Sequence, residues 1–175
     1  MRFLLLTRTD WEEPPRARHQ LAKELAKNNE VVFVSINKRG VPKITISSPQ
    51  KNIVLVTPYW YIHGKYVHRF PVLNELYQIW LYRKLDKKYS NHHIINFDVS
   101  ASLVHNYFDD VVYFCNDNFL EKKRSKFLVT KQYFKLSQKR IATRARFCTA
   151  VSEFLKEQLI VYNPATFLIL TAAEQ

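Results

Sequence analysis

The chain has 175 residues, 47% of them hydrophobic, with a formal net charge of +12 and a pI near 9.7. That length supports one sizeable core rather than two full α/β domains, and the charge points to a polyanionic partner, whether nucleic acid, anionic lipid or a phosphorylated small molecule. Having only Gly40 and Gly64 as glycines excludes GxGxxG and Walker loops, and no apolar run approaches the ~18 residues needed to cross a bilayer.

Arg2–Leu6 is a short apolar run of strand length and Val31–Ile36 a β-branched one, as expected for strands buried on both faces of a parallel sheet. Between them Ala17, Leu21, Ala22, Leu25 and Ala26 recur at helical spacing, with Arg16, Gln20, Lys23, Glu24 and Lys27 opposite and Pro15 suited to the first turn. This is one βαβ unit. Open sheets of this kind bind ligands beyond the carboxyl ends of their strands, and that edge carries Thr7, Arg8, Asp10, Trp11, Arg16, Arg18 and His19. Ile44–Ile46 and Ile53–Thr57 read as short strands around a turn-rich SSPQKN, and Pro58–Pro71 as an aromatic, histidine-bearing loop.

A long helix is predicted from Val72 to Lys88. Leu73, Leu76, Tyr77 and Trp80 form one stripe, while Ile79, Tyr82 and Leu85 lie off it beside Arg83, Lys84, Lys87 and Lys88, which makes the outer face both greasy and basic. His93–Phe97 reads as a strand, Ser100–Tyr107 as a short helix and Val111–Cys115 as the next strand. Thr130 is expected to cap a helix running to Ala145, with Tyr133, Phe134, Ile141 and Ala145 as its packing side. Phe147–Val151 is a strand, Ser152 caps a helix to Tyr162, and Thr166–Leu170 is a last strand. The alternation predicts an α/β fold, a Rossmann-like, doubly wound, mostly parallel sheet with right-handed crossovers, in a single domain over residues 1–175.

Three segments taken in order, PPRARHQLAKELAKNNEVVFVS, DDVVYFCNDNF and FCTAVSEFLKEQLIVYNPATFLI, resemble the GT-B glycosyltransferases. More closely, they are similar to the N-terminal, acceptor-side domain of the family-4-like enzymes of bacterial polysaccharide assembly. The resemblance implies transfer of a sugar from a nucleotide-sugar donor to a polysaccharide or lipid-linked acceptor at the inner face of the membrane. It also implies a second Rossmann-like domain, or a separate subunit, that binds the donor and is absent from these 175 residues. Two departures stand out: ATRAR, with Arg144 and Arg146, replaces an acidic residue of the family pattern, and TAAEQ stands where NG is usual.

Arg16, Arg18 and His19 place positive charge in the first turn of a helix, against its dipole. An anionic ligand such as a diphosphate would relieve this, as would pairing with Glu12 and Glu13. Asp98 and Asp117 each follow a predicted strand, where a carboxylate can act as base or orient an acceptor hydroxyl, or simply cap a helix. Ser152 reads as a cap, and the scattered histidines give no metal-ligand spacing, so no metal site is expected. Cys115 and Cys148, in apolar runs, read as small buried hydrophobes of a reducing compartment.

From Lys122 to Arg146 the sequence has ten basic residues and no acidic one, with Lys131, Lys135 and Lys139 repeating every fourth position. A solvated face is one reading. Uptake by an anionic surface is the other, and Trp60 and Tyr61 in the aromatic loop suit the headgroup boundary of a membrane. The expectation is a cytoplasmic protein, peripheral on the inner membrane face. Two alternatives stay open: a non-catalytic membrane-anchoring subunit of a split glycosyltransferase, and a basic Rossmann-like module that binds nucleic acid.

Overall fold

The computed structural model describes residues 1–118 and 128–169. Its elements in chain order are β1 (Arg2–Leu6), α1 (Ala17–Leu25), β2 (Glu30–Val34), β3 (Lys38–Arg39), β4 (Lys43–Gln50), β5 (Ile53–Trp60), α2 (Gly64–Val67), α3 (Pro71–Tyr89), β6 (His93–Asn96), β7 (Val111–Cys115), α4 (Leu128–Arg144), β8 (Phe147–Ala150), α5 (Glu153–Ile160) and β9 (Thr166–Leu168). The strands form one sheet in the order β3-β5-β2-β1-β6-β7-β8-β9, with β4 also paired to β5. Every pairing is parallel except that of β4, which runs antiparallel to β5. The Rossmann-like, mostly parallel sheet expected from the sequence is thus the fold of the chain.

The apolar runs explain the sheet's centre. Along β1, Leu4 and Leu6 enter the core beneath α3, α4 and α5, together with Val32, Val34, Ile94 and Tyr113, while Leu5 turns to the opposite face with Val31, Phe33 and Phe97. That face is covered by α1 through Ala22 and Ala26. Both faces of β1 are therefore dry, which is why its sequence is continuously apolar rather than alternating. Cys115 and Cys148 are free and buried, and burial raises both thiols, Cys148 to about 12, so they pack as small hydrophobes.

Several local expectations shift. β4 runs on through SSPQ, leaving a turn at Lys51 and Asn52, where Asn52 takes a φ of 62° and its amide donates to the Ala26 carbonyl at 2.9 Å. β5 continues through Pro58 to Trp60, so the aromatic loop is shorter and contains α2, and β3 was not foreseen. In place of a helix over Ser100–Tyr107 there is only a 3-10 turn at Val104–Asn106. α1 starts at Ala17 with Arg16 as its N-cap, leaving Pro15 outside. Thr130 lies inside α4 and caps nothing there, since its hydroxyl reaches the Arg69 carbonyl at 3.5 Å. Ser152 does cap α5, accepting from the Leu155 amide at 3.3 Å. Lys122, Lys123, Arg124 and Lys126 of the basic run, and Leu170 with the TAAEQ end, lie outside the described residues.

The largest shift is the rotation of α3. Its buried face is Asn74, Gln78, Leu81, Tyr82, Leu85 and Tyr89, so Leu73 and Leu76 point outward. The two amides can be buried because both donate to the Ser100 carbonyl, Asn74 at 3.0 Å and Gln78 at 2.9 Å, and the Gln78 side-chain oxygen accepts the Leu103 amide at 2.9 Å. The Tyr133 hydroxyl of α4 joins them at 3.3 Å from the same carbonyl.

Candidate functional site

From β1 the chain moves one way across the sheet to β2, and from β6 the other way to β7. The loops leaving the carboxyl ends of β1 and β6 therefore part, and a crevice opens between them. Arg8 stands two residues beyond β1, and Asp98 two residues beyond β6.

Arg8 is held from three sides. Its Nη2 donates to the Gly64 carbonyl at 3.1 Å and to Nδ1 of His68, while its Nε lies 3.8 Å from Oδ1 of Asp98. Nδ1 of His68 also lies 3.1 Å from the Gly64 carbonyl, so that nitrogen meets a donor in Arg8 and an acceptor in the carbonyl that Arg8 itself holds. Burial, reinforced by the Arg8 charge, pushes the His68 pKa down to about 4, and its ring stacks on Phe134 at 5.5 Å. Asp98 makes a tight local turn: Oδ1 accepts from the Ser100 amide at 2.8 Å and from its hydroxyl at 2.7 Å. The capping alternative is not met, since no α-helix follows and Oδ1 closes a turn two residues on instead. No hydrogen bond or ion pair among the described residues engages Oδ2.

Below this mouth a cavity of about 30 Å³, room for one or two waters, is lined among others by Arg8, Asn37, Asn74, Tyr77, Gln78 and Asp98. The Ser100 carbonyl hub ties its wall to α3 and α4, so Asp98 is set by a buried network rather than by a free loop.

The first turn of α1 faces the same region. Arg18 is buried, with 9% of its surface exposed, and its Nε has no hydrogen-bond partner among the described residues. Desolvation, and then the neighbouring Arg16, lower its pKa, while Glu13, Asp98 and Asp117 favour its charge. The fields of the two predicted carboxylates thus meet at one buried guanidinium. Asp117 lies just past β7, its carbonyl accepting from the Cys115 thiol at 3.8 Å. Arg16 forms an ion pair with Glu13 at 3.2 Å, the pairing that competes with a ligand.

His19 corrects the sequence reading. Its Nδ1 accepts from the Arg16 amide at 3.1 Å, so its Nε2–H donates to the Asp10 carbonyl at 3.1 Å, and the ring stacks on Phe33 at 5.3 Å with 2% of the residue exposed. Both nitrogens are engaged inside the protein. His19 shapes the β1–α1 loop and presents nothing to a phosphate.

The other predicted residues lie elsewhere. Trp60 is half-buried in an aromatic cluster, 5.0 Å from Trp80 and 5.8 Å from Tyr77, with Tyr61 exposed at its side, and Lys131, Lys135 and Lys139 are exposed along α4. Sequence reasoning missed His68, Gly64 and the Asn74–Gln78–Tyr133 network. The one available signal was Gly64, one of two glycines in the chain, in a histidine-bearing stretch.

The histidines impose a pH dependence. His68, His19, His92 and His105 all have pKa values lowered by burial, so the unfolded chain binds protons that the folded chain refuses. Their stabilisation is complete above about pH 6.5, the unfolded value, and is lost as pH falls toward 4. The melting temperature is expected to drop over that window. In His68→Gln, where an amide oxygen accepts from Arg8 without titrating, the drop should be shallower, by up to about 3 kcal/mol of stability. An unchanged slope in a pH series of melting curves would remove His68 from this account.

No family model matches the chain, and no curated protein matches it. Solved structures do. The trehalose-6-phosphate synthase of E. coli, a GT-B glycosyltransferase solved bound with UDP-2-fluoro glucose, superimposes with a TM-score of 0.63 over 91% of this chain and 42% of its own, at 8% sequence identity. At that identity the likeness is one of fold, and the chain spans less than half the length of that structure.

Proposed function

We propose that this chain is the acceptor-side half of a GT-B glycosyltransferase, of the family-4-like kind, which adds sugars to a glycan or lipid-linked acceptor. The observation that carries the reading is the likeness to a GT-B fold over 91% of the chain. The crevice between β1 and β6 supports it, because the groups gathered there suit the reaction. Arg18, buried and unpartnered at Nε beside the amino end of α1, is a cation kept for an anion, and with Arg16 it would take the diphosphate of a donor or acceptor.

In the transfer step, the bond between the anomeric carbon and the oxygen of the nucleoside diphosphate breaks. The acceptor oxygen bonds to that carbon, and its proton passes to Asp98 through Oδ2. Arg8, pinned by Gly64, His68 and Asp98, fixes the carboxylate's direction, and Asp117 on the neighbouring strand orients the acceptor. The nucleotide-sugar comes from a second Rossmann-like domain or a separate subunit.

Calorimetric titration with UDP- and GDP-sugars tests the division of labour. The 175 residues alone should bind a nucleotide-sugar weakly, and the complete enzyme tightly. Asp98→Asn should cut transfer at least a hundredfold with little change in nucleotide affinity. Tight binding by this chain alone would reassign it as the donor half, and full activity in Asp98→Asn would remove the base.

A further inference from the structure

We propose that the outward face of α3, together with the lysine row of α4, docks on an anionic bilayer and brings the β1–β6 crevice to the membrane surface. The rotation of α3 leaves Val72, Leu73 and Leu76 exposed by 71%, 37% and 51%, with Ile79 and Trp80 partly exposed one and two turns on. These positions fall on one stripe, directly opposite the buried Asn74–Leu81–Leu85 face. The same stripe ends in Arg83, Lys84 and Lys87, which border a shallow groove of about 410 Å³ with Leu76, Ile79 and Trp80. An exposed apolar row of this size on a surface helix marks an interaction site.

Charge selects the occupant. α3 lies beside α4, as the Glu75–Arg140 pair at 3.7 Å and the Asn74–Tyr133 bond at 2.8 Å show. Lys131, Lys135 and Lys139 are exposed along α4, where Val129 and Leu136 are also 63% and 57% exposed. Tyr133 and Arg140 mark the flank of α4 that meets α3, and the lysine row lies further round the helix. The apolar stripe is therefore bordered first by Arg83, Lys84 and Lys87 and then by the α4 lysines; of the two nearby acids, Glu75 is paired and Asp86 borders the groove. Apolar side chains that enter the headgroup layer, ringed by lysines that meet anionic lipid, fit a bilayer. Nucleic acid would use the lysines and leave Val72 and Leu76 in water. Trp60 and Tyr61 join the patch through the contact of Trp60 with Trp80.

α3 is also a wall of the candidate site, since Asn74, Tyr77 and Gln78 line the cavity from its other face. Given the glycosyltransferase reading, on which this consequence rests, a lipid-anchored acceptor would reach the crevice past the amino end of α3 without leaving the bilayer.

Co-sedimentation with phosphatidylcholine vesicles, with and without phosphatidylglycerol, tests the docking. The protein should pellet only with the anionic vesicles. Reversing Lys131, Lys135 and Lys139 to Glu should weaken binding about fivefold per residue, on the order of a hundredfold together. Val72→Asp with Leu76→Asp, both at exposed positions, should weaken it at least tenfold while leaving the melting temperature in place. Trp emission should be quenched by brominated lipid in the wild type alone.

Failure to pellet with anionic vesicles, or binding indifferent to the α3 pair, overturns the proposal. Binding of an oligonucleotide that depends on the same lysines, with vesicles ignored, overturns it in favour of nucleic acid. A silent nucleotide-sugar titration of the complete protein with vesicle binding intact would instead reject the glycosyltransferase reading and leave the docking face standing.

Discussion

Arg18→Met should make the protein more stable and less able to bind a phosphate. Arg18 has 9% of its surface exposed, its Nε is unpartnered among the described residues, and it sits in the first turn of α1, where a cation opposes the helix dipole. The attraction of Glu13, Asp98 and Asp117 offsets part of this, but desolvation is the larger effect. Methionine fills a similar volume without charge, so the gain is about 1 kcal/mol, or roughly 2–4 °C in melting temperature for a domain of this size. If the proposed glycosyltransferase reading holds, affinity of the complete enzyme for a nucleoside diphosphate falls tenfold or more, because a charge-assisted contact is lost. A melting temperature that drops would mean Arg18 is a structural ion partner rather than a cation held for a ligand.

Gly64→Ala should do the reverse to stability and harm the same site. A Cβ at Gly64 would lie 2.4 Å from Cγ1 of Ile36 and 2.8 Å from Oδ1 of Asn37, both closer than atoms can approach. Ile36 is 8% exposed and Asn37 2%, and the Asn37 amide is tied to the Ile62 carbonyl at 2.7 Å, so neither can simply swing away. Overpacking of this kind costs about 1–3 kcal/mol. It also displaces the carbonyl that holds Arg8, so under the proposed function sugar transfer should fall beyond what the stability loss explains. Gly40 supplies the control: its added Cβ meets Tyr59 Cδ1 at 3.2 Å, a contact that a few tenths of an ångström relieves. Thermal melts showing equal losses at the two glycines would contradict this argument.

The sheet was legible in the sequence because its strands carry their own signal. After the exposed Arg2 and Glu30 that open them, the strands read FLLL and VVFV, apolar since both faces are covered, and the helix between them shows its spacing plainly. The face of α3 was not legible. Leu73 and Leu76 outrank Asn74 and Gln78 on any hydropathy pattern, and only the Ser100 carbonyl, brought in from β6, makes burial of the two amides favourable. The site divides the same way. Arg8, Asp98 and Asp117 could be placed at the carboxyl edge by counting from strand ends. That His19 turns inward depends on Phe33 and the Asp10 carbonyl, which no local pattern reveals. His68 reaches Arg8 from a different crossover altogether.

The central position of β1 sets the order in which the molecule can be assembled. Phe3 pairs with both Val31 and His93, so β1, which is made before either neighbour, has one flank completed early and the other only after β6 has been made. At ~5–20 residues per second, β1 waits roughly 5–20 s with an unpaired edge of leucines. Every intervening segment, including the antiparallel β4–β5 hairpin, can form in that interval, since a hairpin closes within microseconds. Folding of this chain is therefore paced by synthesis of residues near 96, and refolding from denaturant, where all residues are present at once, should follow a different order of events from that on the ribosome.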